Sequence, residues 1–245
     1  MYKRQYQDRF KDASDFTFIF VGNVDVEAVK PLIESYLGSL PSINRKETFK
    51  DNHIAMRKGV YKNEFIRQQE TPKVNNFICY SGTCQYNLRN DILMSMTDQL
   101  LNLIYTEKVR EDEGGTYGVY PRGQLLKYPT EKAVLQIFFN TAPEKQDKLM
   151  KIIYAEAEAF AKNGPDEASL NKVKEYMLKK HNEDLKENGY WLNSIDEYLY
   201  TGVNPVKDYE KIINSITTKD VQRFADELLK QKNQITVSMI SPEKK

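Results

Sequence analysis

Apolar positions along the chain fall into two rhythms, short near-continuous or alternating runs and longer stretches spaced by three and four, and together they predict a mixed order of strands and helices. Residues 16–21, Phe-Thr-Phe-Ile-Phe-Val, read as an apolar strand, and Gly22-Asn-Val-Asp25 as a turn that caps a helix over 26–37 through Asp25. That helix stops at Gly38, ahead of Pro41. Two further strands are expected at 60–67 and 74–80, with Thr71-Pro72 turning between them. Ile92, Leu93, Met96, Leu100, Leu103 and Ile104 then recur at helical spacing up to a segment where charges gather, with Arg110 in the last turn. Gly114-Gly115 can take the positive φ of a left-handed cap, and 116–120 has the β-branched and aromatic content of a strand. Another strand is expected at 133–139 and another helix from Pro143.

The second part reads as helix-rich. Leu149, Ile152, Ile153 and Phe160 form one stripe, and Asn163-Gly-Pro-Asp166 ends that helix and starts the next. Leu170, Val173, Met177, His181 and Leu185 share a face of the following helix, which makes His181 a packed or boundary residue rather than a ligand. His53 stands among polar loop residues and reads as solvated. Trp191, Ile195, Tyr198 and Leu199 have helical spacing and read as core. Thr217-Thr-Lys-Asp220 starts a helix that buries Val221, Phe224, Ala225 and Leu228, and 234–240 alternates as a final strand.

Arg110 and Tyr117 stand seven residues apart across the helix-to-strand break in Val109-Arg-Glu-Asp-Glu-Gly-Gly-Thr-Tyr-Gly-Val119. They place two hydrogen-bond donors on the two sides of one tight turn, a device for holding a polar substrate. The spacing alone also fits a bland role, because an Arg near a helix C-terminus suits the macrodipole and a strand Tyr commonly packs.

Composition narrows the choices. Lys+Arg 36 against Asp+Glu 35 gives a net charge of +1, which offers no basic field for nucleic acid or an acidic membrane. At 245 residues the chain is expected to be one domain. No stretch reaches the roughly 20 apolar residues of a membrane span, so the chain reads as soluble, with bacterial periplasm and cytoplasm both open. Its polar opening looks like the end of an amphipathic helix, as in a segment cut from a longer protein. Cys79 and Cys84 are too widely spaced for Cys-x-x-Cys redox chemistry and read as strand and turn residues. The acidic run from Glu107 to Glu113 reads as a solvated helix end, His181-Asn-Glu183 lacks the Pro-Cys-x-x-Cys of a zinc deaminase, and no Gly-Lys-Ser/Thr loop follows a strand to bind a nucleotide.

Three segments carry a resemblance that covers nearly the whole chain. Asp15-Phe-Thr-Phe-Ile-Phe-Val-Gly-Asn-Val-Asp25 with Tyr36-Leu-Gly-Ser-Leu-Pro41, the Arg-Glu-x-x-Gly-Gly-Thr-Tyr-Gly-Val segment from Arg110, and Asn188-Gly-Tyr-Trp-Leu192 resemble the pitrilysin/insulinase family of zinc metallopeptidases. More narrowly they resemble the C-terminal domain of its longer bacterial members. The resemblance implies an α+β fold, a mostly antiparallel sheet with helices packed on one face, as in the subunits of mitochondrial processing peptidase. In that family one half carries the inverted zinc motif His-x-x-Glu-His. This sequence has no such motif, so it offers no metal ligands and is expected to be inactive alone. It matches the other half, which supplies an Arg and a Tyr seven residues apart to a closed clamshell. By this resemblance Tyr117 is the catalytic donor to the oxygen of the tetrahedral intermediate, and Arg110 and Tyr117 bind the peptide substrate. The implied cofactor is zinc in the full enzyme, and the implied partner is a zinc-motif-bearing half on the same chain or another. The other reading is a non-catalytic binding or scaffolding subunit of the same fold; such a subunit would lack the Arg and the Tyr, which are both present here.

Overall fold

The computed structural model describes residues 2–48, 50–111 and 118–241, and for residues 110 and 111 the backbone alone. The chain separates into two compact units, residues 1–54 with 182–202, and residues 55–181 with 203–245. The strands are β1 (Val60–Ile66), β2 (Lys73–Thr83), β3 (Val119–Leu126), β4 (Lys132–Thr141) and β5 (Asn233–Ser241). They form one sheet in the order β1-β5-β2-β4-β3, antiparallel throughout except for the parallel β1–β5 pair. The helices are α1 (Tyr2–Phe10), α2 (Val26–Tyr36), α3 (Leu88–Tyr105), α4 (Gln146–Asn163), α5 (Glu167–Asp184), α6 (Asn188–Thr201), α7 (Tyr209–Ser215) and α8 (Thr218–Lys230). This is the expected α+β architecture.

The core of the larger unit forms because strand and helix periods agree on what to hide. On β2 and β4, Ile78 stands opposite Ile137 and Tyr80 opposite Leu135, and all four are buried in one cluster with Met96 and Leu100 of α3 and Leu149 and Ile153 of α4. The alternate positions pair Phe77 with Phe138, ring centroids 4.8 Å apart, on the other face, where Phe138 is exposed. Each fully buried Leu or Ile contributes on the order of 1.5–3 kcal/mol. Tyr105, fully buried, donates its hydroxyl to the Ile153 carbonyl at 3.2 Å and so ties α3 to α4.

Local signals set the boundaries. Asp25 caps α2 by accepting from the Ala28 N–H, and Asn87 caps α3 by accepting from Asn90. Thr217 and Asp220 form a reciprocal capping box at the start of α8, which buries Val221, Phe224, Ala225 and Leu228 as expected. Between α4 and α5, Gly164 takes φ 74°, and the Asp166 carboxylate receives the Ser169 N–H.

The smaller unit departs from expectation in two places. Residues 16–21 belong to no ladder among the described residues, and Phe18 and Phe20 are exposed. Their pattern suits a strand, yet a strand exists only where a neighbour pairs along it, and the Phe16 N–H goes instead to the Ala13 carbonyl in a turn. Trp191, Tyr198 and Leu199 of α6 are likewise exposed rather than core, and α6 buries Ser194 and Thr201 instead. What holds this unit is polar and aromatic. The buried Asp12 carboxylate accepts from the Ser14 hydroxyl at 2.6 Å, the Ser14 N–H at 3.1 Å and the Ile43 N–H at 3.1 Å, with the Arg45 guanidinium nearby. The Ser14 hydroxyl, followed by the two N–H donors and Arg45, holds this group below its ordinary value against the cost of burial. Tyr6 stacks on Phe10 at 4.4 Å, and Phe10 meets Phe16 edge-on at 5.5 Å.

Candidate functional site

The segment that carries Arg110 is built by α3 and the turn beyond it. α3 buries Ile92, Leu93, Met96, Leu100, Leu101 and Tyr105 against the sheet, which fixes its axis and phase. Beyond Tyr105 the chain continues as a π-helical turn, Thr106–Glu111, rather than the ordinary last turn expected around Arg110. Such turns recur at functional sites. The backbone of Arg110 lies in this turn, directly after Val109, which is fully buried. Gly114-Gly115 and Tyr117 lie outside the described residues. The chain re-enters at Gly118, and β3 begins at Val119, two residues beyond Tyr117 and within the 116–120 expected for a strand. Val109 and Val119 both belong to the core cluster, so the segment between them is anchored at each end. A Cβ on Gly118 would meet the Tyr120 hydroxyl at 2.7 Å, the far end of an exposed side chain that has room to shift.

A groove of about 640 Å3 opens between α3, β3 and α5, with Asp98, Asn102, Tyr120, Lys172 and Tyr176 among its walls. Burial pushes the Asp98 carboxyl up to about 6, while the N–H groups of Gly123 and Gln99 and the charge of Arg122 pull the other way. Nothing in the apolar periodicity singled out this groove. The available signal was Asp98 itself, a carboxylate placed between buried Thr97 and Leu100.

The other titratable groups play structural parts. His181 is buried and stacks on Tyr209 with ring centroids 4.3 Å apart, in line with a packed residue. His53 is exposed at positive φ in its loop. Cys79 and Cys84 are free; burial pushes the Cys79 thiol up to about 11 and also raises that of Cys84, so neither is a ready nucleophile near neutral pH. Among the described residues no group of three His, Cys, Asp or Glu side chains stands ready to hold a metal ion. Among the described residues the donors do not fit a zinc site. Among the same residues no helix is long and apolar enough to cross a membrane.

Residues 4–177 match the family model for the peptidase M16 inactive domain. The chain belongs to that family. A "Zinc protease PQQL-like" protein of Arabidopsis thaliana is 25% identical over 204 residues, which cover 76% of this chain and 21% of the relative. The crystal structure of the periplasmic protease PqqL from Escherichia coli superposes with a TM-score of 0.74 at 18% identity, covering 91% of this chain and 25% of that one. The structure of the first half of the same protease gives a TM-score of 0.78 at 17% identity, covering 97% of this chain and 53% of that half. At these identities the superpositions speak for the fold. The chain spans about a fifth of the length of its curated relative. Membership of an inactive-domain family agrees with a chain that carries no inverted zinc motif and was expected to belong to the pitrilysin/insulinase group.

Proposed function

We propose that this chain is the substrate-holding half of a zinc metalloendopeptidase, closing over peptides together with a zinc-motif-bearing half. The observation that carries the reading is the Arg110–Tyr117 spacing on a segment whose flanks, Val109 and Val119, are both sunk in the core. Stabilising a developing oxyanion demands donors set close to it, and fixed flanks limit how far the chain between them can reach. In this reading the Tyr117 hydroxyl donates to the scissile carbonyl oxygen as charge grows on it. Arg110, with its planar fork of donors, binds the peptide backbone beside the cut. Support also comes from the family match and from the protease names of its relatives.

The test is cleavage of a panel of quenched fluorescent peptides by this chain alone and mixed with a zinc-motif half from the same protein or operon. Turnover in the mixture only is the expected result. Tyr117→Phe is expected to reduce that turnover roughly a hundred- to a thousand-fold, and unchanged turnover in this variant would remove the catalytic role. Turnover by this chain alone would place a catalytic site elsewhere in it. Silence of a mixture whose halves associate would leave a binding or scaffolding subunit.

A further inference from the structure

The groove between α3, β3 and α5 has a chemistry of its own among the described residues. Its outer walls are the rings of Tyr120 and Tyr176, 59% and 58% exposed, and Leu103, Pro121 and Val173 line it further in. Asp98 is the carboxylate among its described lining residues. β3 is an outer strand of the sheet, and two of its N–H positions are closed to a further strand: Pro121 has none, and Gly123 donates its N–H to Asp98 Oδ2 at 2.9 Å. A peptide therefore cannot add to the sheet as another strand at these positions. The groove is left able to take a side chain.

We propose that it takes the cationic side chain, Lys or Arg, of a bound peptide, with the charge meeting Asp98 and the aliphatic stem lying along Tyr120 and Tyr176. A carboxylate that has lost water and gained chiefly backbone donors is short of positive charge, and a guanidinium or ammonium supplies it with a charge-assisted hydrogen bond. Tyrosine faces attract the same group through cation–π contact and the apolar stem through burial. Two cations of the chain stand near. Arg122 contributes the smallest of the effects acting on Asp98, and Lys172 is exposed at the rim, where solvent and salt screen it. The inference rests on the proposed function only in that the ligand is a peptide.

The experiment is fluorescence anisotropy with this chain alone and two labelled peptides that differ by a single arginine replaced with citrulline, which keeps the shape and removes the charge. The arginine peptide is expected to bind at least about tenfold more tightly. Asp98→Asn keeps an acceptor for Gly123 and is expected to erase the difference, while Lys172→Ala tightens binding of the arginine peptide and leaves the citrulline peptide as it was. Equal binding of the two peptides by the unaltered chain, or a preference that survives Asp98→Asn in a folded variant, overturns the proposal. If Asp98→Asn does not fold, Tyr176→Ala decides: loss of the arginine preference supports the groove, and a retained preference overturns it. Because no cleavage is needed, absence of turnover in the two-half mixture alongside an intact arginine preference would end the peptidase reading and leave the groove standing.

Discussion

In the larger unit Ile78, Met96, Leu100, Ile137 and Ile153 are each exposed by 1% or less, whereas in the smaller unit the buried ones among the described residues are Asp12, Ser194 and Thr201. The smaller unit is not short of apolar side chains. Phe20, Leu32, Tyr36, Ile43 and Leu199 all belong to it, and all are more than half exposed. The difference teaches that an apolar pattern chooses which side of an element wants cover without supplying the cover. In the larger unit the sheet and the helices provide it for one another. In the smaller one α2 buries none of its residues.

The sharpest way to break this comparison is to truncate matched leucines. Leu100→Ala is expected to cost about 2–5 kcal/mol in urea-melt stability, because it opens a cavity that cannot collapse. Leu32→Ala in α2, 55% exposed, is expected to stay within about 0.5 kcal/mol. Equal costs would mean that the smaller unit has a core after all.

Next comes the charge within the larger unit. The Asp98 carboxyl is raised from 3.8 to about 6, so the folded state holds its proton more tightly than the unfolded chain does. Its contribution is therefore full below pH 4 and is lost as the pH rises through about 6. Asp98→Asn removes that loss, so the variant should gain on the unaltered protein between pH 4.5 and pH 7, by up to roughly 2–3 kcal/mol. Urea melts at the two pH values check it, and a difference that does not change with pH counts against it.

The smallest effects come from paired glycines. A Cβ on Gly123 would collide with Met94 Sδ and come within 3.1 Å of the Met94 carbonyl oxygen, so Gly123→Ala should cost about 1–3 kcal/mol. Gly189, in α6, has nothing within 4 Å of such an atom, and Gly189→Ala should stabilise by about 0.5–1 kcal/mol. Thermal melts of both variants, moving in opposite directions, would sharpen the contrast.

Much of the larger unit could be read in advance because its signals are local. The Thr217–Asp220 cap, the Asn163-Gly-Pro-Asp166 break and the alternation of β5 need only their neighbours in sequence. The stretch at 16–21 and the stripe of Trp191, Tyr198 and Leu199 failed as strand and core for a shared reason: their period was right, but burial depends on a surface that no local pattern describes. The same limit applies to the site. Arg110 and Tyr117 announce themselves by spacing, whereas Asp98, Tyr120 and Tyr176 come from three elements far apart in sequence and meet only once α5 has packed beside α3 and β3.

The π-helical turn after α3 is also a matter of counting. A π turn holds a residue more than the α-helical turn it replaces, so the turn carries one residue beyond what ordinary winding needs. Deleting one residue within 106–111 would let the helix resume that winding at little cost in hydrogen bonds, whereas the same deletion inside α3 would turn the apolar face that follows it by about 100°. A change in chain length is thus cheap on one side of Tyr105 and costly on the other.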